Sequence, residues 1–226
     1  MNRHSPPTRP KAKAAKGPAA EAPNGSPNGP PNSGKRERIL DAAVRVFAQE
    51  GFYNAKVSQI AHVAGVADGT IYLYFKSKDD LLISLFEDRM ERINANLRAA
   101  LIEETTAVAR LTRVVKMHLE LVEQNRPMAE VICVELRQSS KFIKEYKNPK
   151  FADFLRLIAS AVEGGQASGE LRSDVDAALI ARALFGALDE IALAWLVRGK
   201  EKLDLSRAAA QLSNLFIEGL KQRSRT

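Results

Sequence analysis

The chain has 226 residues, of which 45% are apolar, enough to fill one large core or two small ones. Its net charge of +7 is uneven: residues 1–34 carry Arg3, Arg9, Lys11, Lys13 and Lys16 against Glu21, whereas residues 35–81 hold seven basic and six acidic residues, so the charge total is weak evidence that the folded part meets nucleic acid. A single cysteine, Cys133, excludes an internal disulfide framework, and the chain lacks both a ~18–20-residue apolar span and a secretory core, which predicts a soluble cytoplasmic protein.

Eight of the ten prolines fall in residues 1–34, a stretch without Val, Ile, Leu, Phe, Trp or Tyr. With little to bury, it is expected to be a disordered tail, either a solvated leader or a basic arm that neutralises phosphates. From Lys35 the pattern turns helical. Ile39, Ala42, Ala43, Val46 and Phe47 share one face, and Gly51 supplies a stop. A second helix is predicted from Val57 to Ala64, ending at Gly65, and a third from Ala67 to Tyr74 with Ile71 and Phe75 inward. Ser77 and Asp80 resemble a capping box before Leu81, Leu82, Leu85 and Phe86, opening a long helix to about Glu104.

Thr106 or Thr112 then opens a helix to Gln124, and Pro127 suits the first turn of another that carries Met128 to Gln138. Pro149 predicts a break within Lys141 to Glu163, and Gly164, Gly165 and Gly169 mark a loop. Asp174 or Ser173 is the expected cap of a helix from Val175 to Val197, and Asp204 or Ser206 precedes a last one ending near Lys221. Nothing alternates like a strand. The expected fold is all-α with nine or ten helices: residues 1–34 a tail, 35–80 a helix-turn-helix unit, and 81–226 a ligand-binding and dimerisation region.

Three short helices with a tight turn at Gly65-Val66 have the spacing of a tri-helical DNA-binding unit, whose last helix enters the major groove. Val66 plugs the turn, Gly69 permits close approach, Thr70 and Tyr72 can bond phosphates or bases, and Lys76 and Lys78 follow the helix. Tyr72 and Tyr74 have an alternative reading as packing residues, Lys76 as a solvated charge. Asp68 is expected to cap the helix, because a carboxylate beside phosphates is costly unless it meets a cytosine amino group.

The segment VSQIAHVAGVADGTIYLYFKSKDDLL, within Arg38 to Phe86, resembles the DNA-binding signature of the TetR family of transcriptional regulators. The resemblance implies that Lys56 and Ser58 meet backbone and base, that Asp68, Gly69, Thr70, Tyr72 and Tyr74 face the groove, and that Lys78 contacts phosphate. It also implies a homodimer paired through the last two helices. Ala208, Leu212, Leu215, Phe216 and Leu220 would form one interface stripe. Further matches at VELRQSS and FGALDE are similar to the FadR-type members of that family, which repress fatty-acid degradation genes and respond to long-chain acyl-CoA.

That similarity implies an apolar tunnel, for which Leu121, Val131, Leu136, Leu155, Ile158, Leu184, Leu188 and Trp195 are candidates beside ordinary core roles. Arg137, Lys141, Lys144, Lys147 and Lys150 oppose only Glu145 and could meet CoA phosphates or simply form a solvated face. Asp189, Glu190 and His118 stand out as polar groups in apolar surroundings. No metal, cofactor or catalytic pattern is expected. The alternative is a regulator of an efflux or detoxification operon that senses a different hydrophobic molecule; a cationic one would call for carboxylates and aromatic rings in its pocket.

Overall fold

Gly51 interrupts the first helix where its sequence predicts a stop. In the computed structural model, which describes residues 33–199 and 203–222, α1 runs Ser33–Asn54 and passes through Gly51 as a kink at φ 75°, ψ 158°. Only glycine adopts that backbone at little cost, so the regular helix stops at Gly51 as expected and one short turn follows the kink. The proposed tail falls, up to residue 32, outside the described residues.

Next, α2 (Val57–Ala64) closes on Gly65 in the left-handed region, and α3 (Asp68–Tyr72) is shorter than its predicted span. The amides of Tyr74 and Phe75 both bond back to the Ile71 carbonyl, so the chain leaves α3 through a tightened last turn. Ser77 caps α4 (Lys78–Glu103) by accepting from the Asp80 amide at 3.1 Å, while the Asp80 carboxylate accepts from the Lys76 amide at 2.7 Å. The reciprocal cap is present, one residue further back than the usual box. The boundary expected after residue 80 therefore lies inside the first turn of α4.

Thr106 caps α5 (Ala107–Gln124), and Asn125 caps α6 (Arg126–Cys133) with Pro127 in its first turn. The helix expected to reach Gln138 stops at Cys133, and Glu135–Gln138 tightens into a 3-10 turn, η1. Ser139 caps the short α7 (Ser140–Lys144), and Pro149 opens α8 (Pro149–Ala167). The break expected at Pro149 is present because that ring suits a first turn.

Gly164 and Gly165 lie within α8 rather than in a loop. At Gly165 an added Cβ would stand 2.5 Å from the Ala107 side chain and 2.6 Å from Leu171, so the residue serves close packing of α8 on α5. The cap of α9 (Ala177–Arg198) is Asp176, not Asp174 or Ser173; Asp174 is held by Arg172 instead. Asp204 caps α10 (Leu205–Leu220) as expected. One antiparallel bridge, Leu171 with Lys221, is the only strand-like pairing among the described residues.

Buried apolar side chains from Ile39 to Leu220 form one continuous cluster. Between α1 and α4 an ionic web joins Arg36 to Asp88, Arg89 to Asp41 and Glu37, and Arg92 to Glu37 and Asp88. The N-terminal three helices are thus fixed to the start of the longest helix by both packing and charge. Among the described residues no helix is long and apolar enough to cross a membrane.

Candidate nucleic-acid interface and sensor chamber

Burial of Ile60, Ala61, Ala64, Ile71 and Phe75 orients α2 and α3 with their polar sides outward. Lys56, Ser58, Asp68, Tyr72, Lys76 and Lys78 then line one surface concavity between the start of α2 and the end of α3. Six of the nine residues that the sequence singles out for DNA are thus brought together. Gly69 is exposed one turn before Leu73, Thr70 is half-buried, and Tyr74 packs beside Phe75 with ring centroids 6.3 Å apart. The Gln59 carboxamide accepts from the Lys56 amide at 2.8 Å and fixes the entry to α2.

Two of these side chains have different jobs from those expected. Asp68 occupies the first turn of α3 but does not cap it: the cap residue is Ala67, and no side chain bonds the helix start. The carboxylate sits at the positive end of the helix without a direct bond to it. Lys78 donates from Nζ to the carbonyl oxygens of Tyr53 and Ala55, each at 3.0 Å, and stands 4.8 Å from the Phe52 ring centroid. Two of its three donors tie the end of α1 to the beginning of α4, leaving one for a phosphate.

The second site lies in the helical bundle. A cavity of about 150 Å³ is walled by Met90, Ile93, Asn96 and Leu97 of α4, Val114, Met117, His118, Leu121 and Val122 of α5, Met128, Ala129, Ile132 and Cys133 of α6, Phe154 of α8, and Phe185 and Asp189 of α9, with Asn125 between α5 and α6. Three methionines and two phenylalanines make an apolar wall that can repack. The His118 ring lies 6.1 Å from Phe185 and 6.3 Å from Phe154. Burial lowers its pKa to about 4, against an opposing pull from Asp189.

The Asp189 carboxylate is held by the Arg137 guanidinium of η1. Burial, with Asp189 close by, pushes the Cys133 thiol up to about 12, so it is a protonated wall group.

Of the tunnel candidates, Leu121 alone lines this chamber. Val131, Leu136, Ile158, Leu184 and Leu188 are buried in the core, and Leu155 is half-buried against it. Trp195 packs under Arg126, whose guanidinium stands 5.1 Å from the ring centroid. Apolar periodicity could not separate them from wall residues, because both kinds face inward. Arg137 reaches the chamber through Asp189, Glu190 is exposed, and Lys150 pairs with Glu91 at 3.0 Å. Lys141, Lys144 and Lys147 are exposed on and after α7.

The stripe expected to pair two copies along α10 is largely spent within the subunit. Leu212 and Leu220 are buried and Ala208 and Phe216 half-buried, because α10 packs on α5, while Leu215 is 70% exposed. On α9 the outward side presents Leu179, Ala183, Gly186 and Val197.

Residues 39–85 match the family described as bacterial regulatory proteins, tetR family, and residues 86–219 match the YsiA-like protein C-terminal region. The fatty acid metabolism regulator protein of Bacillus subtilis is 36% identical over 186 residues, 82% of this chain and 95% of that protein. The crystal structure of FadR from Bacillus subtilis in complex with stearoyl-CoA aligns with a TM-score of 0.76 at 36% identity, covering 81% of this chain and 98% of that one. The fatty acid degradation regulator FadR from Bacillus halodurans aligns with a TM-score of 0.75 at 35% identity, covering 82% and 99%.

Proposed function

This chain belongs to the TetR family of bacterial regulatory proteins, and from that membership we propose that it is a repressor of fatty-acid degradation genes that leaves its operator when long-chain acyl-CoA enters the bundle. The observation that carries the reading is the apolar chamber between α4, α5, α6, α8 and α9, in a chain 36% identical to a fatty acid metabolism regulator. Residues 35–80 form the DNA-reading unit and 81–226 the sensing and pairing region, acting in the cytoplasm on the nucleoid. Lys56, Ser58, Thr70, Tyr72 and Lys76 contact DNA, with Gly69 admitting the backbone of α3 to the groove.

Two copies pair through α9 and α10, using the outward Leu179, Ala183, Gly186 and Val197 together with Leu215. Each recognition helix then meets one of two successive major grooves ~34–36 Å apart. The chamber is smaller than the ~300–1,000 Å³ of a typical ligand site, so an acyl chain must push its walls apart. The acyl chain lies along Met90, Ile93, Met117 and Phe185, and the CoA phosphates meet Arg137 and the lysines of and after α7.

Two connections carry the expansion to the DNA-reading unit. The first is α4, whose Met90, Ile93 and Leu97 form a wall and whose first turn is clamped to α1 by Lys78. The second is η1: Arg137 grips Asp189, Glu135 accepts from the Phe52 amide at 2.6 Å, and the Tyr53 hydroxyl donates to the Gln138 carbonyl at 2.7 Å. Any wall movement that displaces Asp189 pulls on the kinked end of α1. Differential affinity of ligand for the expanded state then becomes a coupling energy against DNA.

A gel shift on promoter DNA from beside the gene tests the proposal. Micromolar oleoyl-CoA or palmitoyl-CoA should release the protein, and failure to do so overturns the acyl-CoA reading. The second reading, an efflux repressor with a lipophilic cation as effector, is favoured by the Asp189 carboxylate beside Phe154 and Phe185. Release by a quaternary ammonium compound and not by acyl-CoA would select it.

A further inference from the structure

Leu73 is the most outward apolar side chain of the DNA-reading unit, 82% exposed, while the neighbouring Tyr72 is 58% exposed. A single exposed leucine is ordinary on a protein surface. This one is distinguished by where it points. Ile71 and Phe75 define the buried side of α3 and the turn after it; at about 100° per residue Leu73 stands about 180° from their midpoint. Its backbone keeps helical values, φ −73° and ψ −22°, so the helical direction applies to it. One turn earlier on the same side is Gly69, with no heavy atom within 4 Å of the place a Cβ would occupy.

A bare glycine followed one turn later by an unshaded leucine makes a flat approach ending in one apolar knob. Beside that knob, Tyr72 and Lys76 line one concavity and suit phosphate and sugar. A leucine has no donor or acceptor to offer a base edge. The one apolar feature that the major groove displays is the C5-methyl group of thymine.

We infer that Leu73 reads a thymine methyl in each operator half-site, making it a specificity-determining residue. The inference rests on the DNA-facing placement of α3 in the function proposed above. Polar groups around it position the helix on the backbone, and Leu73 selects T over C at the base pair beneath it.

The test uses the full-length protein and duplexes that it selects from a randomised pool. Each thymine of the selected duplex is replaced in turn by deoxyuridine, which removes the methyl and keeps the base pair. The wild type should lose about fourfold in affinity at one position per half-site, the worth of one buried methyl-sized group. Leu73→Ala, or Leu73→Ser should the first bind too weakly, should bind the thymine and deoxyuridine duplexes alike at that position. Both variants should keep the wild-type melting temperature.

Three results overturn the inference: a selected duplex without a fixed thymine, a wild type indifferent to every replacement, or variants that keep the methyl dependence. In each of these the protein still binds duplex DNA specifically and the wider proposal stands. A wild type that selects no duplex overturns both.

Discussion

The backbone amide of Phe52 donates to the Glu135 carboxylate at 2.6 Å, so the last turn of α1 is fastened to a turn more than eighty residues away. Glu135 also accepts from the Gln138 carboxamide at 3.2 Å, which stiffens η1 from within. The same turn holds the chamber wall through Arg137. Glu135→Ala is expected to leave operator affinity within about threefold while raising the palmitoyl-CoA needed for half-release by about tenfold, a coupling loss of about 1.4 kcal/mol. Fluorescence anisotropy of labelled operator, titrated with ligand, reads both quantities. An unchanged release midpoint would remove η1 from the transmission route.

Lys78 and Tyr72 line the same concavity and should fail in opposite ways. Lys78→Met removes two charge-assisted bonds to carbonyls at the end of α1, and is expected to cost about 1–2 kcal/mol of stability after allowance for partial exposure. Tyr72→Ala removes a largely exposed ring, and should abolish operator binding with stability unchanged within about 0.5 kcal/mol. Thermal melts paired with gel shifts separate the two. A Tyr72→Ala protein that still binds its operator would refute the contact assigned to that ring.

His118 gives the chamber a pH signature. Its pKa falls from 6.5 unfolded to about 4 folded, so the unfolded chain binds the extra proton in between. The neutral ring's contribution is therefore complete above about pH 6.5 and is lost as pH drops towards 4. On the order of 2–3 kcal/mol is at stake. Urea melts of wild type and His118→Gln at pH 7 and pH 4.5 should diverge in slope, with the variant flatter. Equal pH dependence would mean that the imidazole is not kept neutral by its surroundings.

Gly165→Ala is expected to destabilise the bundle by about 1–3 kcal/mol, since the new Cβ would overlap both Ala107 and Leu171. The neighbouring Gly164→Ala meets only the end of the Arg110 side chain at 3.7 Å and should be neutral or slightly stabilising. A melt of each variant checks the contrast.

Helix count, the DNA-reading unit and the caps Ser77, Thr106 and Asp204 were legible in the sequence because each rests on a local rule: apolar spacing of 3.6, a hydroxyl or carboxylate before a helix, a proline in a first turn. The errors have tertiary causes. Gly164 and Gly165 signal a loop locally, yet both lie in α8, and at Gly165 α5 approaches so closely that only glycine fits. Asp174 has the makings of a cap, but Arg172 claims it. The chamber was the least legible part, because Met90, Met117 and Phe154 carry the same apolar signature whether they meet another side chain or an empty space. His118 and Asp189 were visible as anomalies. A polar residue on an inward apolar face was the usable sign of the cavity.

If acyl chains enter as proposed, the narrowness of that chamber makes it a length gauge. Parting walls that close on about 150 Å³ carries a cost that the first carbons to enter must meet, whereas each further methylene returns about 0.8 kcal/mol, roughly fourfold in affinity. Short thioesters return too little to hold the walls apart, and beyond some number of carbons the balance changes sign. On the proposed function, the protein would discriminate against short acyl chains without needing any group that rejects them.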